Sequence, residues 1–181
     1  AALRVPGNIE VYSSQLNATA PIASTGNGGV VDLKLTTGYN GSSSVTSNNG
    51  VVKIRANTLT LGSSSAVNAG TGAVEIGSAT SGTGIRILSA AAKTSAANST
   101  LNISTDDLSR VTAAFLRIGA SNAGNITIEN PLVRDQSGSN TIRFTTAGSV
   151  TNTTGNNLPV CLAPVASLGC LNHSLHTLAD S

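Results

Sequence analysis

Val31-Asp32-Leu33-Lys34-Leu35, Val52-Lys53-Ile54-Arg55 and Val74-Glu75-Ile76 are three versions of one short sentence, written at an interval of about two dozen residues. In each, aliphatic residues occupy every second position and charged residues fill the positions between. That is the period-2 signature of a strand with one buried and one exposed face. The same core is found at Asn8-Ile9-Glu10-Val11, Ile85-Arg86-Ile87, Leu101-Asn102-Ile103, Leu116-Arg117-Ile118, Ile126-Thr127-Ile128 and Ile142-Arg143-Phe144. No helix of any length is read between these cores.

Between the cores lie turn segments rich in Gly, Ser, Asn and Thr. Thr25-Gly26-Asn27-Gly28-Gly29, Ser47-Asn48-Asn49-Gly50, Asn68-Ala69-Gly70-Thr71-Gly72, Ser81-Gly82-Thr83-Gly84 and Ser121-Asn122-Ala123-Gly124-Asn125 all supply residues that tolerate positive φ. The cores fall into two interleaved series. Ile9, Leu33, Ile54, Ile76, Ile103 and Ile128 form one, and Leu61, Ile87, Ile118 and Ile142 the other. A drifting period in the twenties, with two strands per period, predicts a β-solenoid of six or seven coils whose equivalent strands stack in parallel. A sandwich of hairpins also uses Asn-Gly turns, but its strand-plus-turn unit is about half this period.

The longest irregular stretch, Ser104 to Ala114, opens with Ser104 or Thr105 before Asp106-Asp107 and predicts one capped helical turn. From Thr151 onward the alternation fails, so residues 1–150 are expected to form the repeat domain and 151–181 a cap or tail.

Composition narrows the function classes. Charged residues are 10% of the chain, aromatics 2%, and Met and Trp are absent. So few large side chains fit a narrow aliphatic core. Ten Lys and Arg against eight Asp and Glu give a net charge of +2, with the cations dispersed and no aromatics among them to stack bases. Nucleic acid is therefore not an expected partner, and no membrane span is read.

Cys161 and Cys170 are the only cysteines, with His173 and His176 close behind. A disulfide in an oxidising compartment is one reading. A zinc site is the other, although its Cys-x8-Cys-x2-His-x2-His spacing departs from ordinary fingers. Beginning at Ala1 without Met reads as a removed leader or a fragment. A Thr- and Asn-rich chain poor in Lys and Glu, with that Cys pair, reads as secreted.

Chemistry is sparse. Of the eight acids only Asp106 and Asp107 adjoin, and neighbours in a turn point apart, so a carboxylate pair for glycoside chemistry is not expected. Both histidines lie in the tail, and neither a cofactor motif nor a metal-ligand repeat is present. On a solenoid, charges one coil apart can pair, which predicts an exposed ladder of Asp32 with Lys53 and Arg55 with Glu75. Arg86, Arg117 and Arg143 read as a basic stripe, suited to an acidic glycan or to plain solvation. Asn-x-Ser/Thr sequons stand at Asn17, Asn40, Asn98, Asn102, Asn125, Asn152 and Asn172. Thr58-Leu59-Thr60 is not repeated in register, which argues against a flat Thr-rank surface.

Thr105-Asp106-Asp107-Leu108-Ser109-Arg110-Val111-Thr112-Ala113-Ala114-Phe115-Leu116-Arg117-Ile118-Gly119 continues into Gly124-Asn125-Ile126-Thr127-Ile128-Glu129-Asn130-Pro131-Leu132 and Asn140-Thr141-Ile142-Arg143-Phe144-Thr145-Thr146-Ala147-Gly148. This run resembles the repeats of large bacterial exoproteins of the filamentous haemagglutinin type, secreted by a two-partner route. The resemblance covers about residues 100–150, and more loosely 50–100, where Asn57-Thr58-Leu59-Thr60-Leu61 has the same character. It implies a right-handed parallel β-helix, an extracellular or surface location, and adhesive or filamentous duty.

An open coil leaves unpaired backbone and bare core at each end. The expected partner is therefore another copy, joined through the solenoid ends and the C-terminal tail into a homopolymer. The alternatives are a segment of a long monomeric adhesin binding cell-surface glycans and a β-helical polysaccharide enzyme.

Overall fold

The computed structural model describes residues 1–97, 99–134 and 141–154, with the backbone of two further strands at 159–162 and 171–172. The chain winds as a parallel β-solenoid of about six turns. The first coil contains β1 (Leu3–Val5) and the long β2 (Ile9–Ala18), the second β3 (Ile22–Asn27) and β4 (Val30–Gly41). The third contains β5 (Ser44–Asn48), β6 (Val51–Arg55) and β7 (Thr58–Leu61), and the fourth β8 (Ala66–Asn68), β9 (Ala73–Gly77) and β10 (Ile85–Leu88). After an excursion through α1 (Ala90–Ser95), β11 (Leu101–Ser104) and α2 (Thr105–Ser109), winding resumes with β12 (Val111–Thr112), β13 (Phe115–Gly119) and β14 (Ile126–Ile128). The last described coil holds β15 (Val133–Arg134), β16 (Thr141–Thr145) and β17 (Val150–Asn152), followed by β18 (Pro159–Leu162) and β19 (Leu171–Asn172).

All nine sequence cores lie on strands. The coil has three faces, however, where the period predicted two. The first face stacks β1-β3-β5-β8-β12 and the second β2-β4-β6-β9-β13-β16. The third begins with the C-terminal halves of β2 and β4, continues through β7, and ends with β11-β10-β14-β17. On the first face β5, β8 and β12 carry one inner aliphatic each, Val45, Val67 and Val111. A single apolar position is too little to register as alternation.

The second face shows why the recurring cores stack. Ile9, Val31, Val52, Val74, Leu116 and Ile142 form one inner column, and Val11, Leu33, Ile54, Ile76, Ile118 and Phe144 the next. From the second coil to the fifth these side chains are buried, at 0–1% exposure. Like-sized aliphatics in register fill most of a narrow prism, with Phe144 at one end and Tyr39 in the second coil as its aromatics.

One corner between the first and second faces depends on glycine. Gly29, Gly50 and Gly72 lie above one another, and a Cβ on Gly50 would sit 2.0 Å from the Gly29 oxygen. That oxygen accepts the rung bond from Val51 N, so the coil pitch itself forbids a side chain there. Just before them Gly28, Asn49 and Gly70 adopt φ of 76°, 58° and 57°. Asn is the non-glycine residue best suited to that region. Its Oδ1 also accepts Thr71 N of the next coil at 3.1 Å.

The excursion breaks the regular step. Through β9 the second face advances by 21 or 22 residues per coil. From β9 to β13 it advances by 42, because Leu116 pairs with Val74. After β10 the chain turns through α1 and lays β11 on the side of β10 opposite β14, adjacent to β7. The two series read from the sequence therefore change faces here. Ile103 pairs with Ile87 on the third face, while Ile118 stacks on Ile76 on the second. The long step to Ile118 reflects an inserted strand rather than one helical turn. That turn is nonetheless present as α2, and α1 is a second helix that the sequence reading missed.

Candidate functional site: charged columns and the seam

The outward positions of the second face form a charged column. Glu10, Asp32, Lys53, Glu75, Arg117 and Arg143 are consecutive register partners from β2 to β16. Of the predicted ladder, Asp32 and Lys53 are directly opposed in register, whereas Glu75 opposes Lys53 and not Arg55, whose register partner is Gly77. The ion pairs run otherwise. Asp32 Oδ2 lies 3.5 Å from Lys34 Nζ and 3.7 Å from Arg55 Nη1, while Glu75 Oε1 lies 3.0 Å from Arg117 Nη1. Arg55 reaches diagonally back to the second coil, and Glu75 is taken from the other side by Arg117. Asp32 is also buried, at 7% exposure, where the alternation predicted an exposed carboxylate. Lys34 forms a short hydrogen bond to the Tyr12 hydroxyl and lies 4.4 Å from that ring's centre. That hydrogen bond raises its pKa and outweighs the desolvation that opposes it, with a lesser contribution from the charge of Asp32.

The expected basic stripe divides between faces. Arg117 and Arg143 are register neighbours on β13 and β16, but Arg86 is on β10 of the third face. There its guanidinium grips Glu129 bidentately, Nε to Oε1 at 2.7 Å and Nη2 to Oε2 at 2.8 Å. This hydrogen bonding holds the Glu129 carboxyl below its ordinary range and raises Arg86. Period-2 reading placed all three arginines outward. It could not show that the inserted strand sets Arg117 and Arg143 on the second face while Arg86 stays on the third.

The third face has a seam where β11 meets β7. β7 pairs with β4 along one edge, and β11 pairs with β10. Side chains supply partners at the β7–β11 boundary. Asp107 Oδ1 accepts Leu61 N at 3.1 Å, and Lys93 Nζ donates to Leu59 O at 2.5 Å. Lys93 also pairs with Asp107 Oδ2 at 2.5 Å, and that oxygen accepts Ser104 N at 2.8 Å and Ser104 Oγ at 2.7 Å. Ser104 Oγ in turn accepts Asp107 N, which completes a capping box on α2.

Asp107 is buried and saturated, whereas Asp106 beside it is exposed. The adjoining acids thus point apart, as expected of neighbours in a turn. Sequence reasoning found the cap but not the seam, since Lys93 lies 14 residues from Asp107 and Leu61 lies 46 away. A shallow groove of about 300 Å³ runs along the seam, lined by Asn57, Thr58, Thr60, Lys93, Thr100 and Asn102.

Among the sequons, Asn17 and Asn40 are exposed register partners, and Asn102 is buried. Asn125 Oδ1 accepts Ser149 N, and Asn152 Oδ1 accepts Thr154 N. Asn98 and Asn172 carry no described side chain. Cys161 lies on β18, of which only the backbone is described, and Cys170, His173 and His176 lie outside the described residues. The choice between disulfide and zinc therefore falls there too. Among the described residues no helix is long and apolar enough to cross a membrane.

No family model, curated protein or solved structure matches this chain.

Proposed function

We propose that this protein is an extracellular, non-enzymatic structural or adhesive rod that self-associates into a filament. One observation carries the reading: among the described residues, the outer edges of β2 at one end and of β16 at the other are paired with no strand. Each such edge presents a row of unused N–H and C=O groups, a template for a further strand. The polar rows that clothe the flanks are largely committed to one another, through Asp32 with Arg55, Glu75 with Arg117 and Arg86 with Glu129. That arrangement favours a rod that meets partners at its ends.

A self-complementary end contact that repeats without closing yields a fibre. Negative-stain electron microscopy and sedimentation of the 181-residue chain, across a range of concentrations, test this reading. Rods that lengthen with concentration are expected. Monodisperse single solenoids at every concentration would overturn it.

The polar groove along the seam favours a second reading, a monomeric adhesin segment that takes a glycan there. Binding to immobilised glycans by non-associating chains, lost on Thr60→Val, is the result expected of that alternative.

A further inference from the structure

We infer that copies join head to tail with β16 of one laid against β2 of the next, Arg143 of the first opposite Glu10 of the second. This rests on the self-association proposed above and names its register. The argument begins with the order of charges in the second-face column, which is acid, acid, base, acid, base, base from β2 to β16. Within one chain this order places like charges in direct opposition at each end, Glu10 against Asp32 and Arg117 against Arg143. Like charges directly opposite across parallel rungs are destabilising.

Of the central members, Asp32, Glu75 and Arg117 are in ion pairs, and Lys53 stands in register between the two acids Asp32 and Glu75. Among the described residues, Glu10 and Arg143 form no ion pair: Glu10 Oε2 accepts the Tyr12 hydroxyl at 3.1 Å, and Arg143 is exposed. Stacking one solenoid on the next brings the two arginines of the first against the two acids of the second. The sequence of signs then continues across the joint without a like pair at the contact.

The inner columns agree with that register. Placing Arg143 opposite Glu10 sets Ile142 over Ile9 and Phe144 over Val11, the same partners by type that β13 offers to β16 and β4 offers to β2. Val11, Ile142 and Phe144 are only partly buried, while their counterparts in the middle coils are inaccessible. A joint in this register extends both aliphatic columns and pairs both open edges, with strands parallel and about 4.8 Å apart. A shift of one residue along the strand would set Arg143 opposite Ile9 and Phe144 opposite Glu10, outward against inward, so the pleat enforces the register.

Charge reversal separates this inference from the reading on which it rests. Glu10→Arg and Arg143→Glu each replace a like pair within the chain by an unlike one, so each variant keeps its fold. Each also makes the joint repulsive, Arg against Arg or Glu against Glu. We expect either variant alone to raise the concentration at which assembly begins about tenfold or more. The double variant, and an equimolar mixture of the two single variants, should assemble like the original chain, since both restore Arg opposite Glu. Circular dichroism and sedimentation read fold and assembly separately. If the original chain assembles and both single variants assemble equally well, the register is wrong and self-association stands. If the original chain stays single at all concentrations, the self-association reading fails and this inference with it.

Discussion

The coils built from residues 9–77 and those that follow bury similar aliphatic columns but are held together in different ways. In the first region each coil copies the one below. Val31, Val52 and Val74 recur at steps of 21 and 22 residues, and glycine at Gly29, Gly50 and Gly72 lets the turns nest. Main-chain bonds and packing are supplemented there by side-chain rungs at the turns, such as Asn49 Oδ1 with Thr71 N. In the second region the chain doubles back, and the third face is joined across a seam by the side chains of Lys93 and Asp107. Stability in a solenoid is a sum of nearest-neighbour terms. A repeat can therefore accept an extra strand, provided something satisfies the edge it interrupts.

The sharpest way to break that comparison is to remove the seam's anchor. Asp107→Ala strips a buried carboxylate of four donors and leaves Lys93 without its counter-ion. A loss of about 3–5 kcal/mol is expected for breaking a buried pair in this way. Hydrogen exchange should locate it, with protection falling over residues 85–128 and persisting over 31–54. Uniform loss across both regions would show that the seam is not a separate cooperative boundary.

Gly50→Ala tests the other region. The new Cβ would lie 2.0 Å from the Gly29 oxygen and 2.6 Å from Ser47 Oγ. Backbone must move to admit it, at a cost of about 1–3 kcal/mol, seen as a lower Tm with near-complete loss of protection at Val51 and Ala73. Gly82 is the control. Its φ of +77° makes alanine strained, but nothing lies within 4 Å of the Cβ position. Gly82→Ala should therefore cost less than Gly50→Ala.

What could be read from the sequence divides along the same line. The aliphatic columns were legible because alternation is local: Val52-Lys53-Ile54-Arg55 declares its buried face without reference to the rest of the chain. The parallel solenoid followed from the spacing of such cores. The first face was not legible, because Val45 and Val67 are single inner residues within polar strands. The insertion was hidden for another reason. β11 has the same Leu-Asn-Ile pattern as any other rung, and nothing local says that it precedes β10 in the stack. The charged column was half legible. Alternation identified its outward members, but which acid meets which base depends on reach and on residues two places along, as Asp32 with Arg55 shows.

Tyr39 sharpens the contrast between the regions in the opposite sense. It lies 1% exposed in the second coil, where burial pushes its hydroxyl pKa up to about 12. Its hydroxyl finds no hydrogen-bond partner among the described residues. Removing an unpartnered buried polar group while keeping its shape is neutral or favourable. Tyr39→Phe should thus leave stability unchanged or raise it by about 1 kcal/mol, measured by denaturant unfolding. Buried polar atoms would then be dispensable in the regular coils and indispensable at the seam. A marked loss on Tyr39→Phe would remove that distinction.

The smallest expected effect concerns the bidentate pair of Arg86 and Glu129, which bridges coils above the insertion. Arg86 holds the Glu129 carboxyl below its ordinary value by hydrogen bonding. A carboxyl whose folded pKa is depressed stabilises the fold above its unfolded pKa, about 4.3, and loses that contribution as the pH falls through the folded value. The pair's side chains are 35% and 28% exposed, so solvent screens them, and the contribution is about 0.2–1 kcal/mol. Glu129→Gln should therefore lower Tm slightly at pH 7 and not at pH 2, where the original chain has lost the same interaction. Added salt should shrink the difference at pH 7. An equal deficit at both pH values would mean that the loss on substitution does not come from the charge of Glu129, and that this pair is no electrostatic tie between the coils above the seam.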